Sequence, residues 1–332
     1  MPALNNSITD VPGILVGQTQ NDEALTGCTV VLCKEGAVGG VDQRGGAPGT
    51  RETDALRPMH LVEKLHAVML AGGSAFGLDA ASGAMRYLEE NKVGFNTGVA
   101  KVPIVASAIL FDLGIGNANI RPDAAMGYQA CRNATSERPA EGNVGAGAGA
   151  TVGKILGMGQ AMKSGIGTAS IDIGGGIIVG AVIAVNALGD VIDPETGQII
   201  AGVRPLQKGP LNVGGKDRFA DTLKIMKSFV GKSALRLATM QNTVIGAVAT
   251  NADLSKEEAN KVAQMAQNGL ARVIRPANTM LDGDTLFCMA TGKKKCEVSI
   301  VGAFAAEVVA NAIVSALRNA RPAGGLSSSQ SE

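Results

Sequence analysis

The core of this chain has to be built almost without rings. Its 332 residues include no Trp, two Tyr and seven Phe, against 45 Gly. Ala, Val, Ile, Leu and Met must therefore fill the interior, with backbones approaching closely at glycines. That composition suits thin, tightly stacked layers of sheet and helix. The length allows two domains or one layered domain.

Apolar runs place strands at Cys28–Cys33 and Val38–Val41, joined by Lys34-Glu35-Gly36, and at His66–Leu70, Val102–Phe111, Ala169–Ile173 and Ile177–Val185. Further strands are expected from Thr243, at Thr285–Ala290 and at Glu297–Ile300. Helical patterns cover Leu78–Glu90, Asp123–Arg132, Asp217–Val230 and Ala303–Arg318. Ser255 with Glu258 predicts a capping box opening a helix to about Arg272. Gly142–Gly153 reads as a glycine-rich loop and Gly231–Asn242 as an exposed polar connector. The tail from Ala323 to Glu332 has a disordered composition. Strands and helices mix without strict alternation. That favours sheets stacked face to face with helices outside over a doubly wound parallel sheet.

Net charge is +1, and the charges balance on both sides of Thr243, so no nucleic-acid footprint is expected. Five cysteines with no C-x-x-C spacing read as reduced thiols of a cytoplasmic protein. The start, MPALNNSITDVPG, has no signal-peptide pattern, and Gly174–Val185 is too short an apolar stretch for a membrane span. Two histidines and no acidic calcium-type loop argue against a metal. Gly145-Ala-Gly147-Ala-Gly149-Ala150 fits the dinucleotide fingerprint G-x-G-x-x-A but lacks a strand before it, so close backbone approach explains it better and no cofactor is expected.

The candidate chemistry centres on Asn242-Thr243 at the mouth of the apolar run Thr243–Thr250. A Thr freed by cleavage before it carries a hydroxyl and an α-amine, and the amine serves as its own general base. Such an amine has an ordinary pKa of about 7.7–8.0. Asn186 ends an apolar strand, where it starts a turn or offers an amide to an oxyanion. Lys154 follows the glycine-rich loop, and Asp282-Gly283-Asp284 sits directly before a strand. These carboxylates are placed to close a turn, bind a metal or orient an amine. Ser74 in GGSAFG does not make a G-x-S-x-G elbow.

Four segments together resemble the DmpA-type aminopeptidases: Thr9–Gly17 (TDVPGILVG), Val41–Ala47 (VDQRGGA), Leu70–Leu78 (LAGGSAFGL) and Leu281–Phe287 (LDGDTLF). That family includes L-aminopeptidase/D-esterases, β-peptidyl aminopeptidases and 6-aminohexanoate-oligomer hydrolases. The resemblance implies a four-layer αββα sandwich over residues 1–322. It also implies self-cleavage between Asn242 and Thr243 into chains 1–242 and 243–332, and homo-oligomers, tetramers or larger, of those pairs. Asn-Thr at the cut is similar to the nylon-oligomer branch. By that resemblance Thr243 is the nucleophile, Asn186 with Lys154 supports the oxyanion or hydroxyl, and Asp282 with Asp284 holds the freed amine. Phe111 stands where relatives carry a Tyr. The function expected is hydrolysis of linear amides such as 6-aminohexanoate oligomers. The alternatives are an aminopeptidase on small or β-amino N-terminal residues, an ornithine acetyltransferase-like acyl transfer and, from the glycine fingerprint alone, nucleotide binding.

Overall fold

The computed structural model describes residues 4–208, 211–215, 217–237 and 242–330. One nine-stranded sheet organises it. Its main strands are β1 (Leu15–Asn21), β2 (Thr26–Gln43), β3 (Lys64–Ala71), β4 (Val105–Ile109), β5 (Ile166–Asp172), β6 (Ile178–Asn186), β7 (Thr243–Ala252) and β8 (Thr285–Lys294). The path runs β5-β6-β7-β8-β2-β3-β4, with β1 paired to β2 and the two-residue Thr50–Arg51 strand beyond β4. The helices are α1 (Ala80–Glu90), α2 (Ala124–Arg132), α3 (Thr222–Lys227), α4 (Phe229–Leu237), α5 (Lys256–Val273) and α6 (Val298–Asn319). Two neighbouring pairs are parallel, β3 with β4 and β7 with β8. A parallel pair needs a crossover, and α1 and α5 lie in those connections.

The expected turn at Lys34-Glu35-Gly36 is a bulge inside one 18-residue strand. Cys28–Leu32 pairs with β3, Val38–Ala290 and its successors join β2 to β8, and the β2–β3 register shifts between Leu32 and Ala37. A bulge bends its strand and increases its twist. β2 thus belongs to both halves of the sheet, and the halves fold face to face. Alternate side chains then serve different layers. Val31, Val68 and Ala106 meet Val182, Ile245 and Phe287 between the halves. Cys28, Val30 and Met69 pack under α1 and α2, while Val179, Val248 and Cys288 pack under α5 and α6. The order is helices, sheet, sheet, helices: the αββα sandwich.

Glycine replaces rings at the closest contacts. A Cβ on Gly269 of α5 would lie 2.0 Å from the Ala306 carbonyl oxygen of α6, and one on Gly167 of β5 would lie 2.2 Å from that of Ala312. α6 is long and apolar enough to cross a membrane, but most of that stretch is buried inside the fold.

Other expectations need correction. Glu297–Ile300 is no strand: Glu297 caps α6 and Val298 begins it. The helix expected at Asp217–Val230 is two short ones broken at Ser228, and helix continues to Leu237 through the expected connector. The rest of that connector, residues 238–241, lies outside the described residues. Its last residue, Asn242, is buried rather than exposed. The tail is ordered through Gln330: Ser328 is fully buried, and Lys163 N donates to the Ser327 carbonyl at 2.8 Å. The Ser255–Glu258 capping box is present on α5. All five cysteines are free.

Candidate active site

Three strand ends converge at Thr243. β7 begins there, flanked by antiparallel β6, whose last residue Asn186 is the direct partner of Thr243. On the other side, Asn242 bridges Asp282 just before β8 starts. Polar residues at the ends of apolar strands are therefore gathered into one buried patch. Asn242, Thr243, Asn186, Lys154, Asp282 and Asp284 are each less than a tenth exposed.

The Thr243 hydroxyl donates to the carbonyl oxygen of Asn242, the residue before it. Gly283 N–H donates to the same oxygen at 3.0 Å. A Cβ at Gly283 would stand 2.9 Å from Thr243 Oγ1, so the glycine between the two aspartates lets the backbone close on the hydroxyl. Asn242 Oδ1 is buried with no partner among the described residues. Such an orphaned acceptor is costly.

Asn186 is the hub of the other side. Its Oδ1 accepts from Lys154 Nζ at 2.7 Å and from Thr151 N and Oγ1 at 3.1 and 3.2 Å. Its backbone carbonyl also accepts from Lys154 Nζ, at 3.0 Å. Its Nδ2 donates to the Phe111 carbonyl at 2.9 Å. The position where relatives are expected to carry a phenol thus supports Asn186 through its backbone.

The carboxylates are held by backbone amides. Asp284 Oδ1 accepts from Val244 N at 2.7 Å and Oδ2 from Asn278 N at 2.9 Å. Asp282 Oδ2 accepts from Thr279 N at 2.8 Å and from the Thr279 hydroxyl. The VDQRGGA segment straps this turn: Arg44 N donates to the Asp284 carbonyl at 3.0 Å and Ala47 N to that of Asp282 at 2.8 Å.

Burial sets the charges. It pushes Lys154 down to about 7, although Asp282, Asp284 and Asp112 pull the other way. It raises Asp284 to about 7, helped by the neighbouring Asp282, and raises Asp282 as well. Lys154 and Asp284 therefore titrate near neutrality, where general acids and bases are most effective.

All six residues proposed from the sequence are brought together. Thr151, Gly283 and the buried Asp112 were not anticipated. Asp112 accepts from Thr26 Oγ1 and Gly73 N, both at 2.7 Å, and lines a small, water-sized cavity with Phe111, Thr151 and Lys154. Only its place at the end of the Ala106–Asp112 segment hinted at it. The Gly145–Ala150 segment is a buried turn of 3-10 helix followed by a two-residue strand, not a strand–loop–helix cradle. Among the described residues, no group of three or more His, Cys, Asp or Glu is placed to hold a metal.

Residues 6–331 match the model of peptidase family S58. The chain belongs to this family. This S58 peptidase is 45% identical to an uncharacterized aminopeptidase of Mycobacterium leprae, over 88% of this chain and 80% of that one. It is 42% identical to one of Mycobacterium tuberculosis, over 97% and 96%. It is 30% identical to a 6-aminohexanoate-oligomer endohydrolase of a Kocuria species, over 93% and 85%. Among solved structures, a Burkholderia β-aminopeptidase superposes with TM-score 0.66 at 24% identity, covering 96% of this chain and 88% of that one. The L-aminopeptidase D-Ala-esterase/amidase of Ochrobactrum anthropi, a variant of the Ntn-hydrolase fold, does so with TM-score 0.68 at 18% identity, covering 95% and 86%. The αββα layering is thus that of an S58 peptidase, and its chemistry is amide hydrolysis.

Proposed function

We propose that this S58 peptidase activates itself by cutting before Thr243 and then hydrolyses linear amides through a Thr243 acyl-enzyme. The observation that carries this reading is the Thr243 hydroxyl seated on the carbonyl of Asn242 while Gly283 N–H holds the same oxygen. In the first stage Oγ1 attacks the Asn242 carbonyl carbon. The C–N bond breaks, Thr243 N takes a proton, and an ester to Oγ1 remains. Gly283 N–H holds the developing oxyanion; comparable donors are worth about 3–4 kcal/mol. Lys154 is neutral in part near pH 7 and accepts the hydroxyl proton. Water then hydrolyses the ester, freeing chains 1–242 and 243–332.

In the second stage the new α-amine deprotonates Oγ1, which attacks a substrate amide. Asn186 with Lys154 steadies the tetrahedral intermediate, the Asp282–Asp284 pair keeps the amine in place, and water releases the acyl group. The substrates proposed are unbranched amides such as 6-aminohexanoate oligomers, supported by the endohydrolase relatives. One observation favours a second reading, an aminopeptidase on small or β-amino residues: identity is higher, 42–45%, to proteins named only as aminopeptidases. Assembly of the chain pairs into homo-oligomers of four or more, and a cytoplasmic location, belong to the same proposal.

The test is the intact mass of purified wild type beside Thr243→Ala under denaturing conditions. Two wild-type fragments meeting at Asn242/Thr243, with an uncut variant, are expected. A wild type that stays whole after long incubation removes the basis for the nucleophile.

A further inference from the structure

We propose that Asp112 is a positioning residue of this active site: it holds the carbonyl that aims the Asn186 amide and turns a negative charge toward Lys154. This role rests on the self-cleaving hydrolase reading above and adds a residue to that machinery. Asp112 is buried just past the end of β4. Its two oxygens are held from the ends of two other strands. Oδ2 accepts from the hydroxyl of Thr26, which opens β2, and Oδ1 from the N–H of Gly73, just past β3. The space around it is cut out of glycine. A Cβ on Gly72 would lie 2.0 Å from Asp112 Oδ2, and one on Gly149 would lie 2.5 Å from Asp112 Cβ. Gly73 has a φ of +80°, a conformation that favours glycine. The LAGGSAFGL segment and the glycine-rich loop, neither of which supplies a reacting group, thus meet at this carboxylate.

Two consequences reach the catalytic groups. The carbonyl that accepts from Asn186 Nδ2 at 2.9 Å belongs to the Phe111–Asp112 peptide, so anchoring the Asp112 side chain fixes that acceptor. The Asn186 amide is planar. With one Nδ2–H on a fixed carbonyl and Oδ1 on Lys154 and Thr151, the direction of the whole group is set. The second consequence is charge. Asp112 and Lys154 line the same water-sized space, so little solvent screens one from the other. Burial raises Asp112, while the Gly73 and Thr26 bonds and the field of Lys163 pull it back toward the carboxylate. Lys154 faces Asp282 and Asp284 from the turn before β8, Asp112 from the end of β4, and Lys163 from the strand paired with the glycine-rich loop. The three acids favour its ammonium form, and Lys163 opposes it.

The measurement is fragment appearance in freshly synthesised chain on both sides of neutral pH, scaled to the folded fraction by circular dichroism. Asp112→Ala removes anchor and charge together. Its highest self-cleavage rate is expected to fall by about 10–100-fold, the scale on which a misplaced group costs rate. Asp112→Asn keeps the shape: Oδ1 can take the Gly73 N–H, and Nδ2 can donate to the Thr26 hydroxyl oxygen. Its highest rate is expected to stand at least about tenfold above that of the Ala variant. Its rate is also expected to rise at lower pH than that of the wild type, with the midpoint moved by about half a pH unit or more, because one charge favouring the Lys154 ammonium is gone. A residue that only supports the fold would move neither the midpoint nor the rate per folded molecule. An Ala variant as fast as wild type, an Asn variant as slow as Ala, or an Asn midpoint that stays in place overturns the proposal. Where the Ala chain does not fold, the Asn midpoint decides alone. A wild type that stays whole overturns the hydrolase reading itself, and the role of Asp112 with it.

Discussion

Lys154 and Lys163 are both buried, one after the glycine-rich loop and one in the strand that pairs with its end. Both are pushed down to about 7 by burial. Their surroundings differ. Lys163 Nζ donates to three backbone carbonyls, Ala150 and Ser164 at 2.8 Å and Gly147 at 3.3 Å. It ties the glycine-rich loop to the following strand. Lys154 Nζ meets the side chain and carbonyl of Asn186, the partner of Thr243, and feels the field of Asp282 and Asp284. The same depressed pKa thus accompanies a backbone tie and a candidate proton acceptor. A shifted pKa marks a site only when the group's partners are reactive.

The largest effect separates the two regions on rate. Lys154→Met is expected to slow self-cleavage by about 10²–10⁴-fold, the usual contribution of a general base. Lys163→Met is expected to leave the rate per folded molecule nearly unchanged. Quantified fragment appearance against circular dichroism reads both. Equal rate losses would erase the distinction drawn here.

The next effect is on stability, and its order reverses. Lys163→Met takes a donor from three buried carbonyls, of which that of Ala150 keeps Ser164 N and that of Gly147 keeps Ala150 N; an unmade buried hydrogen bond costs about 1–3 kcal/mol. A loss of about 1–3 kcal/mol is expected by urea unfolding in the uncleaved Thr243→Ala background. A loss below about 1 kcal/mol would mean the loop finds other donors.

pH sharpens the comparison further. Each lysine titrates at about 7 folded against 10.5 as its ordinary value. Between those values the unfolded chain binds more protons, so both lysines make stability rise with pH through that window. Asp284 acts oppositely at lower pH: raised from 3.8 to about 7, it holds its proton in the fold, and stability from its neutral form is lost as pH rises through about 7. Unfolding curves therefore respond alike to either lysine. The self-cleavage rate does not: it is expected to rise through about pH 7 as Lys154 deprotonates, and Lys154→Arg is expected to flatten that rise, since arginine stays charged. Lys163→Arg with a flattened profile would contradict the assignment.

The sequence carried more of the site than of its supports. The apolar run from Thr243, Asn186 at a strand end and the Asp282-Gly283-Asp284 turn all announce polar groups at strand mouths, and the fold gathers strand mouths. Lys163 carried no signal, because one Lys between Met162 and Ser164 does not reveal that three carbonyls point at it. Gly283 was visible only as the spacer between two acids, since a backbone N–H has no residue code. Element boundaries failed where tertiary pairing overrode local preference. Lys34-Glu35-Gly36 has turn composition, yet β3 and β8 hold β2 straight through it as a bulge. The β-branched Val298 and Ile300 read as strand but open α6, which is packed against α5 and β5. The tail looked disordered because its Ser and Gly content hides its apolar anchor, Leu326, and the backbone tie from Lys163 N to Ser327 O.

The smallest effect tests whether the two regions are joined. Thr151 stands between them. The carbonyl before it, that of Ala150, takes Lys163, and its own N and Oγ1 reach Asn186 Oδ1, which also takes Lys154. Thr151→Val keeps the side-chain shape and the N–H but removes one hydroxyl bond at 3.2 Å. A loss of about 1 kcal/mol is expected, with self-cleavage slowed severalfold as Asn186 loses one of its restraints. The informative measurement is the double variant with Lys163→Met. With Lys163 holding the loop only, the double variant is expected to self-cleave at the rate of Thr151→Val alone; a departure from that rate would mean that Lys163 also positions Asn186 through this loop. Contacting groups couple by about 0.5–3 kcal/mol, whereas independent ones add to within about 0.5 kcal/mol. Strict additivity would mean that Lys163 holds the loop for stability alone and that Asn186 takes its position from Lys154, Phe111 and the strand pairing with Thr243.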